Sequence, residues 1–263
     1  MSNIAITILS DLGPGNPSLA ALKAMLMNHC KGIVPVDITN RISEYNLENS
    51  AYVLQSAYRH FPAGSVHIVA ADIFGGSNPR LLAVQKDGHY FIAPDNGVLP
   101  LAFGETMENT RLFFEFFKPY SFKDWGLQCA TLAQNILNGE LLPVMRFEFE
   151  KGIAPNLRRE FPDGIDCGIR HIDRYGNVVL DINKVQFEQL IGTKPFRIRV
   201  PKADEIIVVS NNYNDVPEGN SLCKFNDAGY LEIALNHAPM AALLGISQDN
   251  LRTIRYRTVK IFF

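Results

Sequence analysis

The sequence predicts an α/β N-terminal domain, with a mostly parallel sheet and helices, followed by an all-β C-terminal barrel or sandwich domain. The first half alternates strand-like and helix-like segments, which is typical of βαβ units. The second half contains short runs of alternating hydrophobicity between turn residues, which indicates antiparallel strands. A segment with prolines and mixed charges separates the halves. We therefore place the domains at 1–142 and 165–263, with a linker over 143–164.

The N-terminal elements follow one another as strand and helix. Asn16 and Pro17 mark the start of the first helix, since Asn caps exposed amides and Pro fits the first helical turn. Asp87 and Gly88 form a hairpin turn between two strands over 81–86 and 89–93. The other predicted strands cover 3–10, 32–39 and 65–72, and the predicted helices cover 18–29, 46–61 and 124–138.

The C-terminal elements are shorter. Turn residues at 175–177, 217–219 and 227–229 separate the runs, so a small antiparallel barrel or sandwich is predicted. One helix is clear, over 239–244. The predicted strands cover 169–172, 178–182, 196–200, 205–209 and 230–235.

Composition limits the function classes. Of the 263 residues, 47% are apolar and 20% are charged, which suits a folded core. The net charge of -2 and the absence of a basic stripe argue against nucleic acid or an anionic membrane as the main partner, and favour a small molecule. The N-terminus runs into a strand, and no apolar stretch has the length of a membrane span, so we expect a cytoplasmic protein.

The four cysteines and six histidines show none of the spacings typical of metal or disulfide sites. We expect free thiols, no metal and no cofactor.

Two acidic residues follow predicted strands. Asp11 ends the first strand and Asp72 ends the third, and ligands of open α/β sheets bind beyond the carboxyl ends of strands. Asp11 could accept hydrogen bonds from a ribose diol, or it could simply turn the chain. Arg80 could hold Asp72 ionised or orient a water, or it could be an ordinary surface charge. The 95–97 loop, Asp-Asn-Gly, is by itself only a good turn.

Six motifs taken together resemble the S-adenosylmethionine (SAM) hydroxide adenosyltransferases, whose superfamily also holds the fluorinase and the chlorinase. The motifs extend over nearly the whole chain in the family's order. They are Ser10-Asp-Leu-Gly, Val36-Asp-Ile-Thr39, Phe61-Pro-Ala-Gly64, Ala93-Pro-Asp-Asn-Gly97, Ile172-Asp-Arg-Tyr-Gly-Asn177 and Gly229-Tyr-Leu-Glu-Ile-Ala-Leu-Asn236.

The resemblance implies a homotrimer whose active sites lie between the N-terminal domain of one subunit and the C-terminal domain of its neighbour. Asp11 would bind the ribose hydroxyls, and Asn16 and Ser18 would face the methionine part. Tyr175 and Asn177 would reach the substrate from the neighbouring subunit, and the strand around Leu235 and Asn236 would offer backbone hydrogen bonds to adenine. Further substrate-binding residues implied by the family pattern are Tyr45, Phe122 and Asp173.

The implied reaction is hydrolysis of SAM to adenosine and methionine, with SAM as substrate rather than cofactor. Water attacks the ribose C5′ in line with the departing sulfonium, so an oriented nucleophile is the main requirement. The family surrounds that water with Asp, Arg and His. The Asp matches Asp72, whereas the Arg position falls on Pro79, one residue before Arg80, and the His position falls on Lys123.

Three hypotheses remain for a chain with Pro79 and Lys123 at the family's Arg and His positions. The first is a SAM hydrolase whose water is oriented by Asp72, Arg80 and Lys123. The second is a related enzyme that acts on another 5′-substituted adenosine, and the third is a SAM or adenosine sensor without catalysis. Halogenation is the least favoured, because the small hydroxyl residue of the halogenases is replaced by Gly75.

Overall fold

The structure is a computed structural model that describes residues 4–75, 80–104, 121–140, 158–200, 204–246 and 258–263, and the backbone of 111–116. The chain divides into two compact units, Met1–Ala154 and Pro155–Phe263. In these described ranges, no helix has the length and apolar character needed to cross a bilayer.

A six-stranded mixed sheet with four helices forms the first unit. Its strand order is β2-β1-β3-β5-β4-β6, in which β2, β1, β3 and β5 are parallel, while β4 is antiparallel to β5 and to β6. The strands are β1 (Ile6–Ser10), β2 (Val36–Thr39), β3 (Val66–Ala70), β4 (Leu81–Lys86), β5 (His89–Pro94) and β6 (Arg111–Phe116). The helices are α1 (Pro17–His29), α2 (Leu47–Ala57), α3 (Val98–Phe103) and α4 (Phe122–Leu137).

Both faces of this sheet are covered, which is why the central strands read as apolar runs. Every residue of β1 and of β3 is buried. On one face Ile6, Ile8 and Ile68 pack under α1 and α4, and on the other Leu9 and Val69 pack under α2 and α3. Because both faces are covered, residues of β1 and β3 can reach a ligand only at the ends of these strands.

The second unit is built on a seven-stranded antiparallel sheet in the order β10-β13-β8-β9-β12-β11, with β7 paired to β8. The strands are β7 (Arg159–Phe161), β8 (Gly164–Ile172), β9 (Val178–Asn183), β10 (Arg197–Ile198), β11 (Ser221–Phe225), β12 (Tyr230–Leu235) and β13 (Thr258–Phe262). The helices are α5 (Lys184–Leu190) and α6 (Met240–Leu243).

One segment touches both outer strands of this second sheet. Ile206 exchanges two backbone hydrogen bonds with Ile198 of β10, and Val209 bridges to Cys223 of β11. The sheet therefore curls enough for residues three apart in the chain to reach its two edges.

Most predicted elements are present, and the differences have local causes. Three of the five strand pairings of the first sheet are parallel, as predicted, and the sheet is mixed because the Asp87–Gly88 hairpin reverses β4 against β5. The helices α3 and α5 were not predicted, because each is too short to show several turns of apolar residues at helical spacing. Helix α5 is stabilised by a capping box from Asn183 and Gln186. The run 205–209 makes isolated bridges instead of a strand.

The predicted linker, 143–164, falls only partly within the described residues. Its portion up to residue 157 lies outside them, whereas Arg159–Phe161 forms β7. Register explains this assignment, since Arg159 pairs with Asp166 and Phe161 pairs with Gly164 in a tight antiparallel hairpin. The last part of the predicted linker therefore belongs to the second sheet.

Candidate active site

The candidate site lies at the carboxyl edge of the first sheet. Strand β1 has β2 on one side and β3 on the other, so the chain order reverses between β1 and β3. Such a switch point opens a crevice in which α/β proteins bind ligands. Asp11 follows β1 and Asp72 lies two residues beyond β3, so the two carboxylates predicted from the sequence flank this crevice.

A hydrogen bond links these two residues. The main-chain N–H of Asp72 donates to Oδ2 of Asp11 at 2.9 Å, and the N–H of Asp11 donates to the carbonyl of Ala70 at 3.3 Å. Asp72 has a positive φ of 46°, a conformation that non-glycine residues rarely adopt and that is enriched at functional sites. The end of β3 is therefore bent into a specific conformation beside Asp11.

The environment of Asp72 disfavours its charged form. Burial is the main cause that raises the pKa of its carboxyl group, and the negative charge of Asp11 raises it further. A carboxylate whose pKa is closer to neutral is a better proton acceptor at physiological pH. A pair of neighbouring carboxylates also attracts a cationic ligand.

Arg80 forms an ion pair with Asp95. The register that places Leu81 opposite Pro94 puts Arg80 beside Asp95, whose N–H also donates to the Arg80 carbonyl at 2.9 Å. The Asp95 carboxylate is 1% exposed and the Arg80 side chain is 27% exposed. That Arg80 also holds Asp72 ionised stays a prediction, and both residues lie at the same edge of the sheet.

The start of α1 also faces this edge. Oδ1 of Asn16 accepts a hydrogen bond from the N–H of Ser18 at 2.9 Å, so Asn16 is the predicted N-cap. Tyr45 lies in the loop that follows β2, where its side chain is 76% exposed and its φ is 60°. An exposed aromatic on a strained backbone at the carboxyl edge suits a ligand contact.

Helix α4 begins at the same edge. Because Gly126 lies against Met25 and the Cys30 thiol approaches the carbonyl of Ala130, α1 and α4 run in parallel. Lys123 is exposed in the first turn of α4, and Phe122 packs against the ring of Trp125 at 5.8 Å. Within the described residues, no hydrogen bond or ion pair joins Lys123 to Asp11 or Asp72.

Asp124 and Pro79 are the sequence neighbours of Lys123 and Arg80. Asp124 is bound in its own helix cap, where it accepts a hydrogen bond from Oγ of Ser121 at 2.8 Å. Pro79 lies outside the described residues.

The predicted residues of the second unit form a separate group. In the turn between β8 and β9, Oδ1 of Asp173 accepts hydrogen bonds from the N–H groups of Tyr175 and Asn177, and Oδ2 accepts one from Nδ2 of Asn177. Tyr175 is 81% exposed. The carboxylate therefore organises the turn and leaves the Tyr175 ring projecting.

Leu235 and Asn236 lie beside this turn. The N–H of Ala241 donates to the carbonyl of Gly176 at 2.8 Å, which ties the turn to the chain that follows β12. The N–H of Asn236 donates to Asn220 at 3.0 Å, and its carbonyl accepts from Gly219 at 2.8 Å. The backbone N–H and carbonyl of Asn236, which are expected to face adenine, are therefore already hydrogen-bonded within the unit. The carbonyl oxygen keeps one lone pair with which it can accept a further hydrogen bond.

Sequence reasoning missed two residues of this second group. The Tyr213 hydroxyl donates to Oε1 of Glu232 at 2.6 Å and lies 3.5 Å from Nδ2 of Asn177. Glu232 is 5% exposed, and burial raises its pKa. A charged residue between the apolar residues Leu231 and Ile233 of a predicted strand was the available signal.

The described residues hold no group of three or more His, Cys, Asp or Glu side chains placed to bind a metal ion. The arrangement of the first unit can bind a diol or a cation through Asp11 and Asp72, and Asp72 can accept a proton.

Comparison with known proteins agrees with the motifs. The family model of the SAM hydroxide adenosyltransferase N-terminal domain matches residues 6–118, and that of the C-terminal domain matches residues 167–251. A Methanocaldococcus jannaschii protein named (R)-S-adenosyl-L-methionine hydrolase is 28% identical over 247 residues, covering 87% of each chain. A Thermus thermophilus protein of the same name is 23% identical, covering 92% of this chain and 96% of its own.

Other relatives show the breadth of the superfamily and of the fold. A protein named fluorinase from Actinoplanes is 23% identical over 91% of this chain and 93% of its own. A solved structure of an uncharacterized conserved protein from Thermotoga maritima superposes with a TM-score of 0.78, at 23% identity, over 98% of this chain and all of that one. With both family models matched in order along the chain, this chain belongs to the SAM hydroxide adenosyltransferase family.

Proposed function

We propose that the protein hydrolyses SAM to adenosine and methionine. The observation that carries the proposal is the pair Asp11 and Asp72 at the β1/β3 switch point, joined by a 2.9 Å hydrogen bond, in a chain that belongs to this family. Relatives named (R)-S-adenosyl-L-methionine hydrolase match most of the chain and support the same reaction.

The reaction requires a water oxygen to bond to the ribose C5′ while the bond from C5′ to sulfur breaks. Methionine leaves with a neutral thioether, so the leaving group needs no proton. The water loses one proton overall. Orientation of the water and stabilisation of the charges supply most of the rate enhancement.

Asp11 is suited to the ribose. Its Oδ2 already accepts the Asp72 N–H, but each carboxylate oxygen can accept two hydrogen bonds, so both oxygens remain able to bind hydroxyls. Bonds from hydroxyls to a carboxylate are among the stronger hydrogen bonds.

Asp72 is suited to the water. Its raised pKa favours proton acceptance near neutral pH, and the negative charges of Asp11 and Asp72 favour the approach of a sulfonium. We assign Arg80 and Lys123 to the same site as cations that orient the nucleophile. Arg80 would act from its ion pair with Asp95, and Lys123 from the exposed first turn of α4.

The neighbouring-subunit part of the proposal uses the second group of residues. Asp173, Tyr175 and Asn177 would hold adenine and the amino-acid end from another chain, in a homotrimer, with Leu235 and Asn236 beside them. The projecting Tyr175 ring supports this role, since it is 81% exposed at the tip of an ordered turn. The curled second sheet would close into a barrel through the 206–209 segment.

A cytoplasmic location completes the proposal, and four free buried cysteines support it.

The test is incubation of the purified protein with SAM in halide-free buffer, with adenosine and methionine followed by chromatography. Equal amounts of both products, lost in Asp72→Ala and retained in Asp37→Ala, are expected. Asp37 is a matched control because it lies in β2, in an exposed ion pair with Lys23 that contributes little.

The alternative functions give different outcomes in the same assay. Binding of SAM without products would indicate a sensor. A product that forms only when chloride or fluoride is added would indicate a halogenase. Turnover of another 5′-substituted adenosine, but not of SAM, would indicate a related enzyme.

A further inference from the structure

Asp72 is held in place by two residues to which the proposed mechanism gives no role. They are Asn96, in the polar loop after β5, and Gly75, three residues after Asp72. Each meets a different part of Asp72: Asn96 contacts its main chain, and Gly75 lies under its carboxyl group.

Asn96 fixes the bent end of β3. Its Nδ2 donates to the carbonyl of Ala71 at 2.9 Å and to the carbonyl of Asp72 at 3.2 Å, and its Oδ1 accepts from the N–H of Val98 at 3.2 Å. One amide thus spans two successive carbonyls at the residue whose φ is 46°. A strained conformation persists only where its surroundings hold it, and the Asn96 hydrogen bonds add to the restraint that the Asp11 carboxylate provides.

Gly75 leaves the space in which the carboxyl group lies. Its N–H donates to the Asp72 carbonyl at 3.2 Å, which closes a tight turn. A Cβ placed on Gly75 would overlap Cγ, Oδ1 and Oδ2 of Asp72. Any side chain at residue 75 and the present orientation of the carboxylate therefore exclude each other. The overlapping atoms are the end of a side chain, so a substitution would rotate Asp72 rather than unfold the unit.

We propose that Asn96 and Gly75 are positioning residues that aim the Asp72 carboxylate at the reacting water. Asn96 acts by holding the main chain of Asp72, and Gly75 acts by having no side chain where the carboxylate must lie. This inference rests on the proposed function, because the orientation of the Asp72 carboxylate matters for catalysis through the water that it places against the substrate.

The first measurement needs no substrate. Aspartate carboxyl carbons are labelled with ¹³C, the Asp72 signal is assigned by its loss in Asp72→Ala, and its pKa is read from a pH titration by NMR. In Gly75→Ala and in Asn96→Ala the pKa of Asp72 should fall, because a displaced carboxylate is better hydrated and further from Asp11. Asn138→Ala removes a side-chain amide at the C-terminal end of α4, away from Asp72, and should leave the pKa of Asp72 unchanged.

The second measurement is SAM hydrolysis. Gly75→Ala and Asn96→Ala should lower kcat by about 100-fold, the scale of a misplacement of about 1 Å, while KM changes by less than about twofold. In an Asp72→Ala background neither substitution should lower the residual rate further, since no carboxylate remains to be aimed.

The outcomes separate the two proposals. An unchanged Asp72 pKa in both variants overturns the positioning role, whatever the kinetics show. A shifted pKa in a protein that does not hydrolyse SAM retains the positioning role and overturns the proposed function. Equal losses of kcat with and without the Asp72 carboxylate would mean that Asn96 and Gly75 act only on the fold.

Discussion

Oδ2 of Asp11 accepts the main-chain N–H of Asp72 at 2.9 Å, so the ends of β1 and β3 are coupled both by a hydrogen bond and by the repulsion of two carboxylates. The bond fixes the distance between the strand ends, while the charge of Asp11 changes the proton affinity of Asp72. Binding and proton acceptance are thus linked within one pair.

Asp11→Ala is expected to abolish measurable SAM binding. Two charge-assisted hydrogen bonds to the ribose diol are lost, which amounts to about 3 kcal/mol or more and over about 100-fold in Kd. Isothermal titration with SAM and with adenosine measures this loss, with Asp37→Ala as control. Unchanged affinity for adenosine would show that the diol binds elsewhere.

The pH dependence of hydrolysis should reflect the pKa of Asp72. The carboxylate is needed as proton acceptor, so kcat/KM should fall as pH decreases through a pKa raised by burial and by Asp11. Asp11→Asn removes a negative charge and should move this acidic limb to lower pH. Values of kcat/KM for SAM hydrolysis by the unaltered protein and by Asp11→Asn, measured at a series of pH values, give the shift. A limb that stays in place or moves to higher pH would contradict coupling between the carboxylates.

His67 is expected to make the stability of the first unit pH-dependent. It is fully buried, hydrogen-bonded to Thr7 at 2.7 Å and to His89 at 3.1 Å, and burial lowers its pKa to about 3. Between that value and about 6.5 the unfolded chain binds the extra proton, so stability present above about pH 6.5 should be lost on acidification, by about 1.4 kcal/mol per pH unit.

Urea denaturation at several pH values between 7 and 4.5 measures this dependence on His67. The variant His67→Gln should unfold with a smaller pH slope, whatever its stability at pH 7. The matched control, His60→Gln, alters an exposed histidine and should keep the slope of the unaltered protein. Equal slopes in both variants would assign the pH dependence to other groups.

Tyr213→Phe is expected to weaken the group of residues around the 173–177 turn. Glu232, 5% exposed, loses a 2.6 Å hydrogen bond, which should cost about 1–3 kcal/mol and lower the melting temperature. The loss of that bond should also raise the pKa of Glu232 further, so the stability difference should shrink at acidic pH as Glu232 becomes protonated. Calorimetry at pH 7 and pH 5 tests both effects, and a difference that does not change with pH would contradict the role of the carboxylate.

The proposed homotrimer, with each active site shared by two subunits, predicts that two inactive variants complement each other in mixed trimers. Asp11→Ala inactivates the first-unit half of a site and Asn177→Ala the second-unit half, so each pure variant should be inactive. After unfolding and refolding of an equal mixture, about a quarter of the sites combine two intact halves in a cyclic trimer, and that fraction of activity should return. No recovery in a mixture shown to be trimeric by light scattering would place each site within one chain.

The sequence by itself determined most elements of the first unit and the residue types of the candidate site. The Asn16–Pro17 helix start and the Asp87–Gly88 hairpin were predictable because caps and turns depend on a few adjacent residues. Asp11 and Asp72 were identified because each follows an apolar strand. The family motifs, read in order along the chain, then indicated the reaction.

Only the tertiary structure decided which of these residues meet. The Arg80–Asp95 pair depends on the register of β4 against β5, and the Tyr213–Glu232 bond joins residues 19 positions apart. Asn96 reaches the strained end of β3 because β5 lies beside β3 in the sheet, although 24 positions separate Asn96 from Asp72. Such contacts depend on strand order and on side-chain orientation, which arise from packing over the whole unit, whereas local patterns record only the near neighbours of each residue.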